Sequence, residues 1–194
     1  MGEPVLVLAS GSPRRAQILT ALGLPFRVAV SNVEETMLAG ERAEAAAERL
    51  ARAKASAVGG SERLPVLAAD TVVVCDGGIL GKPATEAEAR DMLRRLSGRT
   101  HEVVTGVCLL ARGELRSGVE RTAVTMARLS EEEVRWYAAT EEPYDKAGGY
   151  HVDGRGSLFI ESVLGSPSNV AGLPVRLVLR LAREAGLSLG LPYR

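Results

Sequence analysis

The chain has 194 residues with 24 Lys+Arg against 24 Asp+Glu, so it offers no basic excess to neutralise a nucleic-acid backbone or an anionic membrane surface. Two cysteines and two histidines are too few for a disulfide framework, a zinc knuckle, a histidine-rich metal centre or a Ser-His-Asp triad, and they suit a reducing cytoplasm. No apolar stretch approaches the roughly 18 residues of a membrane helix, and the length suits a single α/β domain over residues 1–194.

The first predicted elements are an apolar strand over residues 5–9, a small-residue turn Ser10-Gly11-Ser12, and a helix opening at Pro13. Ser12 is the predicted N-cap, and Gly23 the predicted stop. A strand, a Ser/Gly turn and a helix N-terminus leave backbone N–H groups aimed at one spot, which attracts anions. Arg14 and Arg15 sit in the first helical turn, where the macrodipole opposes them by about 0.3–1 kcal/mol each. A bound phosphate would reverse that sign; an ordinary turn with surface arginines is the alternative.

Residues 26–30 alternate like a strand, and 31–40 form a polar loop carrying Glu34 and Glu35. An alanine-rich helix is predicted over 41–58. Its apolar face, Ala47, Leu50, Ala51 and Val58, includes Lys54, which therefore points inward, either snorkelling at the edge or meeting an anion. Residues 66–74 form the strongest predicted strand, long and β-branched enough to be buried on both faces, and Asp70 interrupts it. A carboxylate there is paired, metal-bound or at a cleft, unless it marks a break between two shorter strands. Asp76-Gly77-Gly78 is a hairpin turn returning the chain to Gly81-Lys82-Pro83, with Lys82 in reach of the same cleft.

Thr85 with Glu88 forms a predicted capping box for a helix through Leu96. Residues 101–111 and 114–127 are two long strands around Arg112-Gly113, and Ser130 with Glu133 caps a helix through about Ala139. A glycine-rich turn over 144–150 carries Lys146, a further strand spans 156–164, and the closing helix begins at Ser168 or Pro174 and stops at Gly186. The elements predict an α/β fold with a mixed, twisted sheet flanked by helices, as two lobes around a cleft.

Of the 24 cationic residues only three are lysines, Lys54, Lys82 and Lys146. A compact ammonium fits where a planar guanidinium does not, as in a tight phosphate site. These lysines, the Arg14/Arg15 turn, Asp70 and Glu35 together describe phosphate ester or anhydride chemistry with a divalent metal, Asp70 being the candidate base for an attacking water. Neither a Gly-x-x-x-x-Gly-Lys-Ser/Thr loop nor Gly-x-Gly-x-x-Gly is present.

Six blocks carry a closer resemblance: Ala9-Ser10-Gly11-Ser12-Pro13-Arg14-Arg15, Ala69-Asp70-Thr71-Val72, Gly81-Lys82-Pro83, Ser97-Gly98-Arg99-Thr100-His101, Asp145-Lys146-Ala147-Gly148 and Val170-Ala171-Gly172-Leu173-Pro174. In this order, and covering nearly the whole chain, they resemble the Maf family of nucleoside triphosphate pyrophosphatases, also named septum-formation inhibitors. The resemblance implies a fold similar to the inosine triphosphate pyrophosphatases, a homodimer, and cleavage between the α and β phosphates with Mg²⁺ or Mn²⁺. It makes Asp70 the proton acceptor, gives the phosphates to Ser10, Arg14, Arg15, Lys54 and Lys82, and gives the metal to Glu35 with Asp70. Arg14, Thr71 and Asp153 fall at the positions that separate the family's branches. Arg14 and Thr71 resemble the dTTP/UTP branch, whereas Asp153 stands where that branch has glutamine. An ionised aspartate only accepts hydrogen bonds, so a broader house-cleaning pyrophosphatase is the alternative, with a nucleotide-binding regulator of septum formation as a third.

Overall fold

The computed structural model describes residues 2–60 and 62–190; Met1, Ser61 and residues 191–194, which the expected domain includes, lie outside the described residues. Seven strands form one mixed sheet, flanked by helices as the sequence predicts. They are β1 (Leu6–Leu8), β2 (Phe26–Val28), β3 (Val66–Cys75), β4 (Gly78–Leu80), β5 (Thr100–Ala111), β6 (Glu114–Met126) and β7 (Ile160–Leu164). The order is β2-β1-β3-β5-β6-β7, with β4 paired to β3. β1 runs parallel to β2 and β3, while β3/β4 and β6/β7 are antiparallel. The helices are α1 (Pro13–Ala21), α2 (Ala43–Gly59), α3 (Glu86–Leu96), α4 (Glu131–Ala138), α5 (Pro167–Val170) and α6 (Val175–Glu184).

The chain divides into two compact units. The first comprises Met1–Asp70, Thr105–Glu120 and Gly172–Arg194. β1 and the first half of β3 are buried on both faces, as their near-continuous apolar runs require. Alternation sends Leu6, Leu8, Leu67, Ala69, Val107 and Leu109 to one face, where α1 and α6 supply Leu19, Leu177, Val178 and Leu181. It sends Val7, Ala9, Val66, Ala68 and Cys108 to the other, against Ala51 and Ala55 of α2. On this second face the helix lies unusually close to the sheet. A Cβ on Gly106 of β5 would stand 2.2 Å from the Ala47 carbonyl oxygen and 2.5 Å from the Glu48 backbone nitrogen.

The second unit comprises Thr71–Val104 and Arg121–Ala171. Its core gathers Val73, Cys75 and Leu80, Leu93 and Leu96 of α3, and Val134 and Tyr137 of α4, with Tyr150 and Phe159 from the connecting loops. The hairpin between β3 and β4 turns on Asp76 (φ 50°) and Gly77 (φ 75°), both in the left-handed region that a tight two-residue hairpin needs. His101 is 1% exposed, with its Nε2 2.8 Å from the Tyr150 hydroxyl, and burial pulls its pKa down to about 4.

Four local expectations are met only in part. Ser12 occupies the N-cap of α1 but its side chain makes no capping bond; Ser10 Oγ accepts from the Ser12 N–H instead. Thr85 caps α3, yet Glu88 accepts from the Ala84 N–H, so the reciprocal bond of the box is displaced by one residue. The Ser130–Glu133 box is complete. Residues 155–159 form a 3-10 turn, leaving only Ile160–Leu164 as strand, since the glycines at 154 and 156 favour tight turning over extension. The two candidate starts of the closing helix are separate events, a single turn at α5 and the true helix α6 after Pro174.

Two measurements test this packing. Gly106→Ala pushes backbone against backbone and is expected to cost about 1–3 kcal/mol in chemical denaturation. The unfolded chain protonates His101 near pH 6.5 and the folded chain only near pH 4, so the unfolded state binds more protons between those values. Stability that is complete above pH 6.5 is therefore lost on acidification towards pH 4, by at most about 3 kcal/mol for this residue. His101→Gln should flatten that part of the pH–stability curve.

Candidate active site

Two periodicities bring a lysine and an aspartate together. Even-numbered residues of β3 face α2, so Asp70 follows Val66 and Ala68 onto the helix-covered face. On α2 the buried positions Ala47, Leu50, Ala51, Lys54 and Ala55 make the stripe that meets it. Lys54 Nζ lies 2.5 Å from Asp70 Oδ1, and the two side chains are 7% and 8% exposed. The same ammonium lies 2.6 Å from Glu35 Oε1, which is 46% exposed. Asp70 thus sits in an uninterrupted ten-residue strand, paired rather than marking a break.

The loop that carries Glu35 is held by α2 as well. Arg49 donates from Nη2 to the Thr36 carbonyl at 3.1 Å, and from Nε and Nη2 to the Glu41 carboxylate at 2.7 and 2.6 Å. Spacing alone puts Arg49 on the solvent face of the helix, and nothing in the sequence marks its reach back to the loop.

Arg15 closes the turn after β1. It is 9% exposed, donating from Nη1 to Ser10 Oγ at 3.0 Å and from Nε to the Gly172 carbonyl at 2.8 Å. The guanidinium therefore locks the Ser10 turn against the start of the closing segment. Gly172 carries φ +94°, a conformation that favours glycine. Burial lowers the Arg15 pKa, and the negative charges of Asp70 and Glu35 oppose that shift. For Asp70, burial raises the pKa above its ordinary value; the Lys54 and Arg15 charges pull it back without cancelling the rise. Asp70 is consequently a stronger base than a solvated carboxylate.

Ser10, Arg15, Glu35, Lys54 and Asp70 are thus gathered in the first unit, where half-buried Arg14 adjoins Arg15. The remaining candidates belong to the second unit. Thr71 follows Asp70 and alternates to the opposite face of β3. Lys82 is exposed, and its neighbour Gly81 accepts at 2.9 Å from the N–H of Gly148, which joins the Lys82 segment to the turn bearing Lys146. Lys146 is ion-paired with Asp145. Arg99 pairs with Asp76 at 2.9 Å and so braces the hairpin turn. Asp153 is exposed on a turn closed by a bond from the Gly154 N–H to the His151 carbonyl.

Among the described residues no three His, Cys, Asp or Glu side chains cluster as a metal site. Asp70 and Glu35 nevertheless converge on one point, the Lys54 ammonium, and Mg²⁺ typically takes one or two carboxylates and completes its shell with water and substrate phosphates. The donor set fits a cation shared with a phosphate ligand.

The family model for Maf-like proteins matches residues 5–185. The chain is a member of the Maf family. A dTTP/UTP pyrophosphatase of Myxococcus xanthus (strain DK1622) is 49% identical over 99% of this chain and 97% of its own length. A dTTP/UTP pyrophosphatase of Bacillus cereus (strain AH820) is 48% identical over 92% of this chain and 93% of its own. Among solved structures, the Staphylococcus aureus Ham1 protein aligns with a TM-score of 0.48 at 16% identity, over 93% of this chain and 98% of that one. Every candidate residue named above lies inside the span matched by the Maf model.

Arg15→Met keeps most of the apolar stem and removes the bonds to Ser10 and Gly172. It is expected to lower stability by about 2–4 kcal/mol in urea denaturation, since both acceptors are left inside the protein. Exposed Arg155→Met is the control and should be within about 0.5 kcal/mol of the parent.

Proposed function

We propose that this Maf-like chain is a nucleoside triphosphate pyrophosphatase that hydrolyses dTTP and UTP to the monophosphate and pyrophosphate. The observation that carries the reading is a carboxylate, Asp70, kept basic by burial yet flanked by Lys54 and Arg15. The near full-length similarity to proteins named dTTP/UTP pyrophosphatase supports the substrate class.

In this reading Asp70 takes a proton from water as the water oxygen attacks the α-phosphorus. The bond from that phosphorus to the bridging oxygen breaks, and the electron pair leaves with pyrophosphate. Arg14, Lys54 and Lys82 supply positive charge to the phosphates, while Ser10 and Arg15 fix the turn that receives them. Asp70 and Glu35 would hold a divalent cation, Mg²⁺ or Mn²⁺, whose charge neutralises the phosphates when bound. Thr71 and Asp153 are assigned to the base. Because Asp153 is exposed and can only accept when ionised, a pyrophosphatase of broader base range is the second reading.

The whole chain is taken as one functional domain, working as a homodimer in the cytoplasm, where the thiols of buried Cys75 and Cys108 stay reduced. No described helix is long and apolar enough to cross a membrane. The neutral net charge supports a small-molecule substrate rather than a nucleic acid.

Pyrophosphate release from dTTP, UTP, CTP, GTP and ATP with Mg²⁺ or Mn²⁺ tests the reading. Asp70→Asn should lower kcat by about 10²–10⁴ while dTTP still binds measurably in calorimetry. Parental turnover in that variant would remove Asp70 from the chemistry.

A further inference from the structure

We propose that Glu142, together with Tyr137, is a positioning pair that fixes the turn bearing Asp153 and thereby sets the base preference of the enzyme. The inference rests on the assignment of Asp153 to the base and goes beyond it, because neither Glu142 nor Tyr137 belongs to the candidate site.

The turn runs from His151 to Gly154, with Asp153 at its tip, and continues into the 3-10 segment at Arg155. It has almost no regular structure of its own, so its backbone groups need outside partners. Two side chains supply them. The Glu142 carboxylate accepts from the backbone N–H of Arg155 at 3.0 Å and of Gly156 at 3.4 Å, beyond the tip. The Tyr137 hydroxyl accepts from the His151 N–H at 2.8 Å, before the tip, and donates to Glu142 Oε2 at 3.1 Å. Asp153 is therefore clamped from both sides by one connected pair of side chains.

The clamp is built on rigid ground. Tyr137 is fully buried in α4, with its ring edge-on to Phe159 at 5.3 Å between centroids. The turn also closes tightly on the clamp. A Cβ on Gly154 would lie 2.7 Å from His151 Nδ1 and 2.8 Å from the Glu142 carboxylate, and one on Gly156 would lie 2.9 Å from the Tyr137 hydroxyl. Burial pushes the Glu142 carboxyl up, but the bonds from Arg155, Tyr137 and Gly156 outweigh it and hold the group below its ordinary pKa. Glu142 is thus ionised at neutral pH and accepts on both oxygens. The carboxylate therefore holds the backbone on the far side of Asp153 in one place. An amide at 142 could accept through one atom only, and its NH₂ group would face the N–H donors.

The test measures kcat and KM for dTTP, UTP, CTP, GTP and ATP in the full-length protein and in Glu142→Gln, Tyr137→Phe and Asp153→Ala, alone and combined. Tyr137→Phe removes one oxygen and keeps the ring packing, so it reports on the clamp even where Glu142→Gln folds poorly. The expected result is a loss of about tenfold in the kcat/KM ratio between preferred and other bases, carried by KM, with kcat changed by less than about threefold. In the Asp153→Ala background neither substitution should change the ratios further, because the clamp acts through Asp153. A uniform fall in kcat for every base would overturn the inference, as would unchanged base ratios, or ratios that shift equally with and without Asp153. So would a parent enzyme that treats all bases alike. Absence of pyrophosphate release by the parent enzyme would instead remove the reading on which the clamp depends.

Discussion

The buried pair between Lys54 and Asp70 is the constraint around which the first unit is built. Removing two charges from water costs several kcal/mol per ion, and that cost is offset only when they meet at close range with further partners. At 2.5 Å they do, and the ammonium has Glu35 as a second partner. Such contact demands that α2 lie close to β3 and β5. The helix meets that demand with alanines at 47, 51 and 55, and β5 with a glycine at 106. Larger side chains at 47, 51 and 55 would hold the helix farther from the sheet, and the four-carbon lysine stem would not span the gap in the same geometry. The apolar packing of this layer is therefore subordinate to a polar contact, the reverse of the usual relation in a core.

The turn after β1 has a related economy. Arginines at a helix N-terminus are placed against the macrodipole, and α1 has no acidic residue in its first turn to compensate. Arg15 offsets that penalty by turning inward, where it satisfies Ser10 Oγ and the Gly172 carbonyl. Ser10 Oγ also accepts from the Ser12 N–H, which fixes the turn ahead of the helix without capping it. One buried guanidinium thus shapes the turn, anchors the chain before α6, and adds a positive charge beside Asp70.

What the sequence reveals follows from periodicity. Lys54 is legible as an inward residue because its spacing from Ala47 and Ala51 leaves it no other face, and Asp70 is legible because an apolar β-branched run surrounds it. Hairpin turns at Asp76-Gly77 and Arg112-Gly113 are legible because few dipeptides tolerate two consecutive positive φ angles. The contacts that periodicity cannot reach are those made by ordinary-looking residues across long separations. Arg49 looks like a solvated helix residue until it is seen holding Thr36, and Tyr137 looks like a core aromatic until its hydroxyl is seen on His151. Glu142 sits in an acidic pair with Glu141, with no local sign that backbone donors thirteen and fourteen residues on will converge on it. Residues 156–164 read as a strand, but the glycines at 154 and 156 turn the first part into a 3-10 segment, and only Ile160–Leu164 is extended.

The balance of charge in the first unit explains how such a site can fold before any ligand arrives. A phosphate-binding cluster made of cations alone would repel itself in a buried setting, and a bare pair of carboxylates would do the same. Lys54 lies between Glu35 and Asp70, with Arg15 near both carboxylates, so each of these four charges has an opposite charge beside it. In the proposed reaction a triphosphate would draw on the cations while a divalent cation would take over the carboxylates, so the charges would regroup with each still paired. This also accounts for a lysine at position 54 in a chain that otherwise uses arginine almost throughout. A single compact ammonium can sit between two carboxylates that a planar guanidinium would push apart.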